Sequence, residues 1–221
     1  IQPLTSIKGL GEAAIKQILD NRPFKKIEDF LFNENITYSK LNKKSLDALC
    51  RAQALSSLVD ERFSGLKHFW SACVVDRPKN EKKFIENIDK YRPEGEFDPE
   101  ELIQYLVDLT GVYPMRLVMN EALLEKLESK HIPRISEYDE ELQLAWFIPR
   151  KIIPKKTKNG KDYWILEVID DSSTMTRIRC WGIKKGRDMI LTNHPYVARL
   201  EHTVDWGFST RSLRHNFRML T

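Results

Sequence analysis

Three cysteines in 221 residues, Cys50, Cys73 and Cys180, are too few and too far apart for a disulfide framework or a metal-ligand pair. They fit reduced thiols used for packing, as in a cytoplasm. No apolar run approaches the roughly 20 residues that span a bilayer, and no signal-peptide pattern opens the chain, so no membrane association and a cytoplasmic location are expected. No Asp-x-Asp pair occurs, which removes the usual means of holding two metal ions in line with attacking and leaving oxygens. The histidines, His68, His131, His194, His202 and His215, are scattered without metal-ligand spacing. Neither the Gly-Lys-Ser/Thr of a phosphate-binding loop nor the third glycine of a dinucleotide fingerprint is present. The expectation is a chain with no active site, no metal site and no cofactor, whose own activity is binding.

What is present is the composition of an ordered protein, 41% hydrophobic and 31% charged, with length enough for two compact modules. The chain opens at Ile1 and not Met, and reads as a fragment of something longer. Net charge is only +4, but it is unevenly placed: residues 1–70 hold 11 Lys and Arg against 8 Asp and Glu, residues 71–140 hold 10 against 16, and residues 141–221 hold 15 against 8. Two basic ends around an acidic middle suggest two nucleic-acid surfaces joined by a segment that avoids phosphates.

The first surface centres on Ile7-Lys8-Gly9-Leu10-Gly11-Glu12-Ala13-Ala14-Ile15. Gly9 and Gly11 can take positive φ and carry no Cβ, so backbone N–H groups can approach an anion where a helix begins. Ala13, Ala14, Ile15, Ile18 and Leu19 give that helix an apolar face, and Asn21 with Pro23 ends it. Lys8 and Lys16 flank the hairpin and favour a phosphate, whereas an unliganded tight turn is the plain alternative. A short helix is predicted over Phe24 to Phe32, and a longer one over Lys43 to Ala54, capped by Asn42. Lys43 and Lys44 at its start could touch the same backbone. Ala52-Gln53-Ala54 is a poor second hairpin.

Asp76 to Asp98 contains Arg77-Pro78-Lys79-Asn80-Glu81-Lys82-Lys83 and Arg92-Pro93-Glu94-Gly95-Glu96, and reads as a linker with at most a short helix near Phe84 to Ile88. Asp98 then serves as N-cap with Pro99 at the first helical position, and an amphipathic helix ends at Gly111. Asn120 caps a further helix whose Leu123, Leu124 and Leu127 face inward. From Leu142 the period becomes alternating, with runs at Leu142 to Ile148, Tyr163 to Ile169, Met175 to Ile183, Tyr196 to Val204 and Arg211 to Leu220. Five short strands, with a turn at Lys158-Asn159-Gly160-Lys161, suggest a small Greek-key barrel of the OB type.

Three blocks, Ile7 to Leu19, Phe24 to Phe30 and Leu41 to Leu49, in this order and spacing, resemble the helix-hairpin-helix region of the alpha subunits of bacterial DNA polymerase III, the C-family replicative polymerases. Leu109-Thr110-Gly111-Val112-Tyr113-Pro114-Met115 is more loosely similar to the segment that follows that region, with Tyr113 where relatives have His. Lys155 to Lys161 and Leu166 to Asp171 look like the family's C-terminal OB domain. The resemblance implies an α+β chain: an all-α helix-hairpin-helix module over residues 1–72, a linker and helical connection over 73–140, and a five-stranded OB barrel over 141–221. It also implies a module that holds duplex DNA by its backbone, with Lys8, Gly9, Leu10, Gly11, Lys16, Lys43 and Lys44 as the contacts. Polymerisation with Mg²⁺ would belong to other parts of the parent polymerase.

On the third predicted strand Arg177, Arg179 and Trp181 share one face, while Ile178 and Cys180 point the other way. Cations beside an aromatic suit a single strand, whose bases stack and whose phosphates need positive charge. Lys155, Lys156, Lys158, Lys161, Tyr163 and Trp206 extend this candidate site, Arg214 and Arg218 prolong its groove, and Phe208 is a secondary stacking candidate. A solvated outer face is the alternative for these residues. The expected partners are duplex and single-stranded DNA, with a sliding clamp or other replisome subunit as a further candidate. Gln104-Tyr105-Leu106-Val107-Asp108-Leu109 is the nearest string to a clamp-binding peptide, but helix packing already needs its apolar residues. The competing functional reading is a scaffold whose acidic middle docks clamp or loader, with a purely structural OB fold. A stand-alone repair enzyme is argued against by the missing catalytic residues.

Overall fold

The computed structural model describes residues 3–184 and 186–221. The chain divides into two compact units, Ile1–Pro114 and Met115–Thr221. Among the described residues no helix is long and apolar enough to cross a membrane.

The first unit is helical. Its elements are α1 (Glu12–Asp20), α2 (Ile27–Leu31), α3 (Lys43–Arg51), α4 (Leu66–Trp70), α5 (Glu81–Tyr91) and α6 (Pro99–Thr110), with α4 running on into a π-helical turn over Ser71–Val75. Side-chain caps start the helices where the sequence predicts them: Asn42 accepts the Ser45 N–H at 3.0 Å, and Asp98 accepts that of Glu100 at 2.9 Å. Gly111 ends α6 in the left-handed conformation. α1 buries Ala14 and Ile18, whereas Leu19, expected on the same face, is 52% exposed.

One core runs from Ile7 through Phe30, Leu49, Phe69 and Phe84 to Phe97. The stretch expected as a linker, Asp76 to Asp98, is part of that core. α5 buries Phe84, Asn87 and Ile88, and the Asn87 amide donates to the Ala72 carbonyl at 3.0 Å. Gly95 comes so close to Gly65 that a Cβ on Gly65 would lie 2.5 Å from the Gly95 carbonyl carbon, and the Gly95 oxygen accepts the His68 N–H at 2.9 Å. Glu96 caps α4 by accepting the Leu66 N–H at 2.9 Å. Proline and charge therefore mark turns between packed helices here, not a free tether.

α3 stops at Arg51, short of the predicted Ala54. The Ala54 N–H donates back to the Leu49 carbonyl and the Gln53 N–H to that of Cys50, both at 2.9 Å, with Gln53 at φ 60°. This is a Schellman cap that carries glutamine where glycine is usual. The buried, unbridged Cys50 and Cys73 pack beside it in the helical core, and burial pushes both thiols well above the ordinary range.

The second unit opens with α7 (Glu121–Ser129), capped by Asn120, whose side chain accepts the Leu123 N–H at 2.8 Å. A curled seven-stranded sheet of half-barrel form follows: β1 (Leu144–Lys156), β2 (Asp162–Ile169), β3 (Thr176–Trp181), β4 (Tyr196–Arg199), β5 (Glu201–Thr203), β6 (Gly207–Arg211) and β7 (Phe217–Met219), with the short α8 (Leu213–Asn216) before β7. The spatial order is β5-β6-β3-β2-β1-β4-β7. All neighbours are antiparallel except β3 and β6, which run parallel. Seven strands replace the expected five because one predicted run is split in two and one strand, β6, lies outside the predicted runs except for its last residue, Arg211. Tyr196 to Val204 divides at the buried Leu200, and Arg211 to Leu220 is interrupted by α8. Inward Phe147, Leu166, Ile178, Cys180 and Ala198 form the core.

Candidate nucleic-acid interfaces

In the helical unit the hairpin lies between a 3-10 turn over Leu4–Ser6 and α1. Gly9 takes φ +88°, a region closed to most side chains, while Gly11 is extended and serves as the N-cap of α1. The Lys8 N–H donates to the Leu109 carbonyl at 2.8 Å and the Leu10 N–H closes the turn onto Ile7 at 3.3 Å. Among the described residues the amides of Gly9, Gly11, Glu12 and Ala13 have no protein acceptor, as is usual for the first turn of a helix. A Cβ on Gly11 would meet nothing within 4 Å.

Of the predicted lysines, Lys8 and Lys16 are exposed on the hairpin and its helix. Lys44 is brought close, its Cε 3.9 Å from where a Gly9 Cβ would stand. Lys43 is turned away, its ammonium donating to the Val75 carbonyl at 2.8 Å. Leu10 is half-buried against the helical core, so its side chain anchors the turn. Gln104 to Leu109, the clamp-peptide candidate, lies inside α6 with Leu106 buried and Gln104 bonded to Asp108 at 2.8 Å.

In the second unit, Arg177, Arg179 and Trp181 do share the outer face of β3, since Ile178 and Cys180 are fully buried behind them. Register then aligns them with neighbours on three other strands. Lys155 on β1 faces Tyr163 on β2, Tyr163 faces Trp181, and Trp181 faces Arg211 on β6. The Tyr163 and Trp181 rings are stacked, with centroids 4.6 Å apart and planes 26° from parallel. Two aromatic rings are thus flanked across the sheet by one cation on either side.

The remaining predicted residues divide by location. Lys156, Lys158 and Lys161 sit at the exposed tip of the β1–β2 hairpin, whose turn closes with the Thr157 N–H on the Lys161 carbonyl at 2.9 Å. Trp206 is 62% exposed on the β5–β6 turn, where Arg179 donates to its carbonyl and holds its guanidinium 5.7 Å from the ring centroid. Arg177 is paired with Glu167 at 2.7 Å, so much of its charge is already answered. Phe208 points inward, its ring 5.1 Å from Tyr138 and 4.6 Å from His202, and is no stacking platform. Arg214 on α8 and Arg218 on β7 are not brought to this face: β2, β1 and β4 separate β7 from β3 in the sheet.

Arg211 is the residue that sequence reasoning passed over. It begins the last alternating run, but only the parallel pairing of β6 with β3 places it opposite Trp181, and alternation within one strand carries no such information.

Residues 1–64 match the helix-hairpin-helix motif family. The chain is 26% and 24% identical, over 196 residues in each case, to DNA polymerase III subunit alpha from two strains of Helicobacter pylori. These alignments cover 76% of the chain but only 16% of either relative, so the chain spans about a sixth of the length of the curated relatives it matches. A helix-hairpin-helix motif thus forms the start of a chain that is similar, over three quarters of its length, to the alpha subunit of DNA polymerase III.

Proposed function

We propose that this chain is the DNA-holding part of a replicative polymerase of the polymerase III alpha kind, gripping duplex at the Gly9–Gly11 hairpin and a single strand on the sheet of its second unit. The observation that carries the reading is the four-strand row Lys155, Tyr163, Trp181 and Arg211. An aromatic pair offers a π surface to a base of any identity, and cations at both ends meet the phosphates on either side of it. Arg179, Trp206 and the lysines of the β1–β2 tip continue this track.

Strand topology supports an OB-type barrel. β1, β2 and β3 form an antiparallel meander, β3 runs parallel to β6, and β1 pairs with β4. β4 and β5 follow one another across Leu200 alone, so together they serve as one barrel strand, with β7 as an added edge. At the hairpin, the unpaired amides of Gly9, Gly11, Glu12 and Ala13 suit the phosphate backbone of a duplex, with Lys8, Lys16 and Lys44 around them. Nucleotide addition with Mg²⁺ belongs, on this reading, to other parts of the longer polymerase, and the chain alone extends no primer.

The test is binding of labelled oligo-dT and of a labelled duplex at several salt concentrations, for the wild type and a Tyr163→Ala/Trp181→Ala variant. Affinity for both ligands should fall linearly on a log–log plot against salt. The double variant should lose oligo-dT affinity and keep duplex affinity. Salt-insensitive binding, or equal losses for both ligands in a folded variant, would overturn the proposal.

A further inference from the structure

α7 separates its charges by face. Leu123, Lys126, Leu127 and Lys130 fall at helical spacing on the side that lines a groove of about 510 Å³, while Glu121, Glu125 and Glu128 lie on the opposite side, away from it. The facing wall is supplied by α8, β7 and the end of β4, which add Arg199, Arg214 and Arg218. Five lysines and arginines therefore border one groove, with no aspartate or glutamate among its lining residues. Among the described residues none of the five has an ion-pair partner.

The groove has a floor as well as a charged rim. Leu123, Leu127 and Leu144 line it with aliphatic surface. Phe217 also lines it, but its ring is engaged edge-on with Phe147 at 5.5 Å and tilted against Tyr196 at 6.0 Å. A nucleic-acid strand would find phosphate partners here but only one free ring, the exposed imidazole of His215, on which to stack a base. An aliphatic floor bordered by unanswered cations instead complements a peptide that carries leucine-like side chains among carboxylates.

We propose that the groove between α7 and β7 is a docking site for an acidic, leucine-bearing segment of a partner protein. The site is distinct from the aromatic face of β2 and β3, since three strands separate β7, which carries Arg218, from β3 in the sheet order. Apolar anchoring supplies the affinity and the lysine–arginine rim sets the register and the on-rate. This use of the second unit does not depend on the DNA-binding proposal.

The experiment uses the whole chain and three labelled probes: an acidic peptide with leucines spaced among aspartates, its counterpart with serine in place of leucine, and oligo-dT. The leucine-bearing peptide should bind, the serine version should bind at least about tenfold more weakly, and Lys126→Glu/Lys130→Glu should cost the leucine peptide at least about tenfold. Oligo-dT affinity should be unchanged by that pair of substitutions. Lys126 and Lys130 are exposed, so the variant should melt as the wild type does. Arg218→Ala, on a different element, gives a second reading with the same expected direction. Failure of the leucine peptide to bind the wild type, or binding unaffected by both variants, would overturn the proposal. A loss of oligo-dT affinity in Lys126→Glu/Lys130→Glu would overturn it too, by assigning the groove to nucleic acid.

Discussion

Tyr163 on β2 and Trp181 on β3 stack with ring centroids 4.6 Å apart and a 26° tilt, directly opposite one another in the antiparallel register. Neither ring belongs to the core of the sheet, which lies behind them around Leu166, Ile178 and Cys180. The pair therefore separates binding from stability. Trp181→Ala should weaken oligo-dT binding by roughly 1–3 kcal/mol with a nearly unchanged salt slope, since stacking moves no counterions. A melting curve alongside shows whether a packing role was removed instead: lower stability with full affinity in the folded protein would refute the stacking assignment.

The cations on this face should not contribute equally. Lys155→Ala with Arg211→Ala should reduce the salt slope by about 1.4, since each phosphate contact on a single strand contributes about 0.7. Arg177→Ala should reduce it by clearly less than about 0.7, because Glu167 at 2.7 Å already holds that guanidinium. Titrations of oligo-dT between low and physiological salt give both slopes.

Gly11→Val is the clean perturbation of the hairpin. Gly11 is extended and a Cβ there would meet nothing within 4 Å, so the cost to the protein is confined to a poorer N-cap residue. Duplex affinity should fall by a similar factor for every sequence, because backbone contacts carry no base information. The melting temperature should fall by only the few degrees or so that a poorer N-cap residue costs. Sequence-dependent losses, or none, would count against the hairpin as the duplex contact.

Gln53→Gly should stabilise the helical unit. A left-handed residue with a Cβ costs about 1–2 kcal/mol, and glycine's extra freedom in the unfolded chain returns part of that, leaving a gain of about 0.5–1 kcal/mol. Urea unfolding with an unchanged m-value and a higher midpoint is the expected result.

Arg62 bridges Glu28 at 2.5 Å and Asp60 at 2.7 Å, and its hydrogen bonds hold both carboxyls below their ordinary range. A depressed carboxylate contributes stability above its unfolded pKa and loses it as pH falls through the folded value. Arg62→Ala should therefore destabilise at neutral pH, by about 1 kcal/mol once water around the partly exposed guanidinium is allowed for. The gap between wild type and variant should narrow as acid protonates the pair. Melting curves from pH 7 down to about pH 3 would show this, and a constant gap would mean that Arg62 acts through packing on Phe84 alone.

Local devices were the most legible part of the fold. Asn42, Asp98 and Asn120 are caps because a short polar side chain before an apolar period has few other uses, and each accepts the amide that its position dictates. The stretch from Asp76 to Asp98 was misread because α5 turns only Phe84, Asn87 and Ile88 inward, a pattern too sparse to stand out between proline-bearing turns. Strand breaks were hidden for a different reason. Leu200 interrupts pairing without disturbing alternation, and Ser212, left-handed at φ 56°, starts a helical turn inside a run that still alternates. At the candidate site, Arg177, Arg179 and Trp181 were readable from the period of one strand. Their flanking cations depend on the register of three more, which is a property of the sheet.

The Lys8–Leu109 hydrogen bond couples two ends of the helical unit that are about a hundred residues apart in the chain. As the chain is synthesised, the glycine hairpin leaves the ribosome about a hundred residues before the carbonyl that fixes its first amide, which arrives only with the last turn of α6. Leu102, Tyr105 and Leu109 pack on the same core, so a protein truncated at residue 72 would expose that apolar surface and leave the Lys8 amide without its acceptor. The hairpin's geometry is thus a late-acquired property of the first unit, complete only when residues 3–114 have closed around it.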